Sequence, residues 1–159
     1  MSGVLVRLVP AFVLAFALDW YTKQWAERVL ALYEPVPVVG QGVRLTLGYN
    51  SGVAFGMFTN GGLWLALASG AVLVGVVVWL LHTVRAGGAS PALAWPAGLL
   101  LGGGGANLLD RLDDGRVTDF IDVGLGSLRW PTFNLADACI VAALPALLLV
   151  NGRNAKTGE

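Results

Sequence analysis

Four stretches of the chain carry almost no polar side chains. Residues 4–18 are apolar except for Arg7, and a helical pattern runs on through Asp19 toward residue 30. Residues 63–81 hold no charge, residues 91–109 hold one polar side chain, Asn107, and residues 133–150 hold Asn134 and Asp137. A helix needs roughly 20 residues to cross a bilayer. The pattern therefore predicts four transmembrane helices over about 4–30, 63–81, 91–109 and 133–150, joined through segments of about 31–62 and 110–132 on one side of the membrane. The first span has the look of a signal-peptide core, but no A-x-A-like site follows it, so it is read as retained. Between the first two spans, Val43, Leu45 and Leu47 alternate with Arg44 and Thr46, the pattern of a half-buried strand. Val36–Val39 precedes it across Gly40-Gln41-Gly42, which predicts a β-hairpin.

Composition supports the bilayer. Of the 159 residues, 56% are hydrophobic and 22 more are glycine, while 13% are charged. Ordinary soluble domains carry about 25% charge, and a domain this small buries only about two-thirds of its surface. The expected class is an all-α membrane protein, a single polytopic domain over residues 1–159, with a small extracytoplasmic β-hairpin region. Tryptophans 20, 25, 64, 79, 95 and 130 fall mostly near span ends, where the membrane interface favours them.

Orientation is less direct. An even number of spans puts both termini on one side. That side holds Arg7, Arg85, Arg153 and Lys156, while the other holds Lys23, Arg28, Arg44, Arg111, Arg116 and Arg129. The count opposes a termini-inside arrangement under the positive-inside rule. However, every acid except Glu159 also lies on the far side or at its boundary, so the far-side bases can be ion-pair partners or site residues.

Net charge is zero and no polybasic run occurs, so nucleic acid is not an expected partner. One cysteine and one histidine leave no zinc-binding cluster and no internal disulfide, and no cofactor or metal is expected. His82 ends the second span on the opposite side from Ser51 and Cys139. A span rises roughly 30 Å at 1.5 Å per residue, which excludes a nucleophile–base pair. Chemistry is left to carboxylates, amides, hydroxyls and arginines.

Those groups fall into clusters. Asp19, Lys23 and Glu27 share one helix face at i,i+4 spacing, either as a salt-bridge stripe just outside the membrane or as a brace for a site. Asn50-Ser51-Gly52 reads as a turn or as part of a site. Glycines 102–105 permit close approach of another helix and invite unwinding. Asn107, Asp110 and Arg111 share a face at the membrane edge. Asn134 can cap the fourth helix with Asp137 as its N3 acid, yet an ionisable group opening a long uncharged run is also a functional signal. A transporter would carry similar intramembrane polar groups, but it needs a polar path across the membrane, and here residues 139–150 and 63–81 stay apolar. A purely structural subunit leaves the cost of Asp137 unexplained.

Five blocks occur in order: Asp19-x-x-x-Lys23; Asn50-x-Gly52-x-Ala54-Phe55; the glycine run with Asn107-Leu108-Leu109-Asp110-Arg111; Val117-x-Asp119-Phe120; and Phe133-Asn134-x-Ala136-Asp137. With four matching spans, the chain resembles the lipoprotein signal peptidase family (signal peptidase II), membrane aspartyl proteases. The resemblance implies a catalytic pair of Asp119 and Asp137. It places Asn50, Asn107, Asp110, Arg111 and Asn134 around the pair, with Asp19 and Lys23 in support. Spacing by itself does not choose Asp119 over Asp110 or Asp122. The resemblance further implies cleavage of a prolipoprotein before its diacylglyceryl-modified cysteine. It also implies a place in the bacterial inner membrane, with both termini cytoplasmic and the site near the outer face. One departure is Ala106, where many members of the family have glycine.

Overall fold

In the computed structural model, residues 2–52, 62–87 and 90–157 are described. Val53, Ala54 and Phe55, which belong to one of the motif blocks, lie outside the described residues, as does Ala89. Helix α1 spans Ser2–Val29, α2 Gly62–Arg85, α3 Ala94–Asp113 and α4 Leu135–Thr157. All four are long and apolar enough to cross a membrane. A short 3₁₀ turn, Pro91–Leu93, leads into α3, and Ser90 caps it by accepting the Ala92 N–H.

Helix α3 is the centre of the bundle. It packs on α1, on α4 and on α2, and half of its most apolar window is buried. The glycine run explains how one helix serves three neighbours. A Cβ at Gly102 would lie 2.5 Å from the Phe12 carbonyl oxygen of α1, one at Gly103 2.7 Å from the Ala136 carbonyl oxygen of α4, and one at Gly104 2.6 Å from a Leu73 methyl of α2. Backbones approach where side chains would keep them apart. The expected unwinding does not occur, because α3 is helical throughout the run. The neighbours fill the space that a broken helix would have left. The methyl of Ala106 is buried in the same helix.

The sheet is larger than a hairpin. β1 (Val36–Val39), β2 (Val43–Asn50), β3 (Val117–Leu125) and β4 (Leu128–Arg129) form one antiparallel sheet in the order β1-β2-β3-β4. The segment between the third and fourth spans thus contributes two strands. Val43, Leu45 and Gly48 pair with Val123, Ile121 and Asp119, with a register irregularity between Leu45 and Gly48. A small apolar cluster of Ala26, Leu47 and Phe120 joins the sheet to the end of α1. All six tryptophans are exposed, as expected of side chains facing lipid and its interface.

Candidate active site

Each candidate side chain is placed by a local rule. Asn134 and Asp137 form a capping box at the start of α4. The Asp137 N–H donates to Asn134 Oδ1 at 2.9 Å, and the Asn134 N–H donates to Asp137 Oδ2 at 3.4 Å. Such reciprocal bonds satisfy two of the donors that a helix start leaves open. A third donor, the Ala136 N–H, reaches Asp19 Oδ1 at 2.7 Å. The capping residues thus also meet the cavity, Asp137 on its wall and Asn134 behind Asp119. The box fixes Asp137 so that its other oxygen, Oδ1, faces α3 and accepts from Asn107 Nδ2 at 2.8 Å.

Asp19 and Lys23 are 0% and 3% exposed, so they brace the site instead of forming a surface stripe. The Lys23 ammonium has three protons and meets three acceptors: Asp19 Oδ2 at 2.6 Å, Asp110 Oδ2 at 2.8 Å and Asn107 Oδ1 at 2.8 Å. That is the full donor capacity of a lysine. A buried charge needs such partners, because an isolated one would be very costly. Asn107 is thereby oriented: its oxygen faces Lys23, leaving its amide to donate to Asp137.

Asn134 carries the same network to β3. Its Nδ2 donates to Asp119 Oδ1 at 2.7 Å and also lies 3.2 Å from Asn107 Oδ1 and from the Thr118 carbonyl. Asn134 is fully buried and Asp119 is 2% exposed. Burial and the neighbouring charge of Asp137 push the Asp119 carboxyl up to about 7, against the opposing pull of a hydrogen bond from Asn50, the charge of Lys23 and the bond from Asn134. Asn50 also accepts the Gly52 N–H at 2.9 Å, so the turn and the site share that residue as well. Arg111 donates to the carbonyls of Asn107 and Gly52, both at 3.2 Å.

Asp119 and Asp137 line one cavity of about 850 Å³, together with Asn50, Asn107 and Arg111. Its polar groups gather at the sheet end. The remainder runs between apolar side chains of α2, α3 and α4, including Leu65, Val72, Leu100 and Ile140. Of the nine sequence candidates, Asn50, Asn107, Arg111, Asp119 and Asp137 line the cavity, while Asp19, Lys23, Asp110 and Asn134 hold those residues from behind. Asp122 is turned away and paired with Arg44 and Arg129 at 2.7 and 2.6 Å. Thr118 was not singled out by sequence reasoning. It is bonded to Asp110, Glu27 and Asn134, and its place beside Asp119 was the signal available.

This fold and site define a polytopic membrane enzyme with two carboxylates on the wall of a cavity that runs between its long apolar helices. The family model described as Signal peptidase (SPase) II matches residues 11–151. The chain belongs to the signal peptidase II family of proteases. A lipoprotein signal peptidase of Xylella fastidiosa (strain M12) is 41% identical over 130 residues, 79% of this chain and 76% of that protein. One from Xanthomonas campestris pv. campestris (strain 8004) is 35% identical over 152 residues, 93% of this chain and 88% of that protein. The fold is also that of a bacterial membrane enzyme solved by the in meso method at 2.3 Å resolution. The two match with a TM-score of 0.83 over 96% of this chain and 91% of the other, at 19% identity.

Proposed function

We infer that the chain is an aspartyl endopeptidase that removes signal peptides from prolipoproteins, cutting before a diacylglyceryl-modified cysteine. Asp119 and Asp137 are its catalytic pair. The observation that carries this reading is their convergence on one cavity through a shared network of Asn107, Asn134 and Lys23. Two neighbouring carboxylates do not both ionise easily, so they share a proton. The surroundings of Asp119 favour holding it there. Ionised Asp137 takes a proton from water as that water attacks the scissile carbonyl carbon, and Asp119 gives its proton to the carbonyl oxygen. When the intermediate collapses, the C–N bond breaks, the leaving amine takes the proton held by Asp137, and the proton on oxygen returns to Asp119. The products are a carboxylic acid, which then gives its proton to water, and a free amine, and the pair is restored.

The whole chain acts as a single polytopic unit of the bacterial inner membrane, its termini cytoplasmic and its site near the outer face. The apolar part of the cavity suits a hydrophobic signal peptide and acyl chains entering from lipid. The interfacial polar groups suit the peptide backbone and the polar linkage.

Purified protein should cut a diacylglyceryl-modified prolipoprotein peptide far faster than the same peptide with an unmodified cysteine. Each buried CH₂ is worth roughly 0.8 kcal/mol, although detergent already shelters part of that surface. Equal rates would overturn lipid specificity and leave a general intramembrane protease. In a Cys139→Ala background, a cysteine at position 114 should react with an impermeant thiol reagent on intact cells and one at position 89 should not. The reverse pattern would overturn the orientation.

A further inference from the structure

Glu27 shares a helix face with Asp19 and Lys23, yet it belongs to neither the buried lysine network nor the cavity. It is exposed at the end of α1, and its Oε1 accepts from Thr118 Oγ1 at 2.6 Å. That is a short bond for a hydroxyl donor to oxygen. Thr118 is buried and immediately precedes Asp119. Three helical elements hold it: Asp110 of α3 accepts its N–H at 3.3 Å, Asn134 at the start of α4 donates to its carbonyl at 3.2 Å, and Glu27 of α1 takes its hydroxyl.

The geometry of the two aspartates makes this joint important. Asp137 is carried by a helix of the bundle, whereas Asp119 is carried by the sheet. Their relative position therefore depends on how the sheet is fastened to the bundle. Asp110 and Asn134 already serve the lysine network. Among the described residues, Glu27 has one further side-chain hydrogen bond, a long one from Gln24 at 3.5 Å.

We propose that Glu27 is a positioning residue for the proteolytic reaction, latching Thr118 and through it setting Asp119 against Asp137. The proposal rests on the dyad reading above. A misplaced acid–base pair costs rate more than binding, since proximity and alignment are worth large factors in the chemical step. Glu27→Ala and Thr118→Val should each lower kcat about tenfold and leave KM within about twofold. The double variant should be no slower than the slower single one, because both remove one bond. Glu27→Gln keeps an acceptor oxygen and Thr118→Ser keeps the hydroxyl, and each should recover most of the lost turnover.

Melting temperatures in the same detergent report whether each variant is folded. Wild-type kcat in a folded Glu27→Ala protein would overturn the latch. So would a loss confined to KM, or effects of the two substitutions that multiply. If Glu27→Ala does not fold, Glu27→Leu and Thr118→Val decide: the latch requires a lower kcat in both at unchanged KM, and wild-type kcat in either overturns it. Asp119→Asn in the same assay separates the two ideas. An active Asp119→Asn protein removes the dyad itself, whereas an inactive one beside a full-speed Glu27→Ala removes only the latch.

Discussion

Asp119 and Asp122 sit three residues apart on β3, and both are almost fully buried. Their surroundings give them opposite characters. Strand geometry sends residues three apart to opposite faces. Asp119 faces the bundle, where it meets amides and a second carboxylate. Asp122 faces two arginines and Thr46, which hydrogen-bond both of its oxygens. Burial pushes both carboxyls up. At Asp122 the bonds from Arg129, Arg44 and Thr46 outweigh it and hold the group below the ordinary carboxylate range. At Asp119 the charge of Asp137 adds to burial, and the carboxyl rises to about 7. Burial does not make a carboxylate reactive. The sign of its neighbours decides whether it stays a fixed anion or becomes a proton carrier near neutral pH.

The widest test of this contrast is turnover. On the proposed mechanism Asp119→Asn removes the proton donor and Asp137→Asn the base, and either should cut the rate by about a thousandfold or more, within the range general acid–base groups supply. Asp122→Asn should leave turnover within about threefold of wild type, since it changes no group on the cavity wall. Initial rates on a lipidated peptide, at matched folded protein, check both. Comparable losses for Asp119→Asn and Asp122→Asn would erase the distinction.

The two aspartates also mark what the sequence made legible. Spans show directly because a bilayer demands long apolar runs. Asp19 and Lys23 show as a pair through their i,i+4 spacing, and Asn134 with Asp137 through the capping interval. These are local rules, and the folded chain obeys them. Strand β3 was far less visible. Its apolar positions 117, 121 and 123 alternate correctly, but Asp119 breaks that face and Phe120 breaks the other. The partners that fix Asp122 are Arg44 and Thr46, 78 and 76 residues away, and no local pattern announces them. Choosing Asp119 over Asp122 therefore needed the family motif. The glycine run was half legible for a related reason: the close approach of other helices is borne out, and the unwinding is not. Four glycines in isolation favour a break, whereas α1, α2 and α4 together hold α3 straight by packing against it.

The pH dependence of the rate sharpens the comparison at a smaller scale. If the pair works with one shared proton, activity needs Asp119 protonated while Asp137 is ionised. The protonated fraction of Asp119 falls above about 7, so kcat/KM should decline about tenfold per pH unit on the alkaline side, reporting the free enzyme. The stability linkage has the same sign. The folded protein holds a proton on Asp119 that the unfolded chain has lost, so this group's contribution declines as pH rises from the ordinary carboxylate range to about 7. A flat profile through pH 9, with substrate saturation checked, would break the one-proton scheme.

The smallest expected effect belongs to Asp122, and its sign is the reverse. A carboxyl held below its ordinary value stabilises the fold at and above the ordinary carboxylate range. That contribution is lost as pH falls and the group is protonated. Asp122→Asn leaves Arg44 and Arg129 side by side without their anion. Their side chains are 22% and 18% exposed, so water takes over part of the lost solvation. The cost at neutral pH should then be about 1.5–3 kcal/mol, the range for hydrogen bonds to charged groups, and not the larger penalty of a fully buried orphaned charge. Because wild-type Asp122 is itself protonated in acid, the two proteins should converge as pH falls. Melting temperatures of both in one detergent, from pH 7 downward, read this directly. A gap that stays constant to low pH would mean that shape and not charge is what Asp122 supplies. The opposed pH slopes expected of Asp119 and Asp122 would then reduce to one.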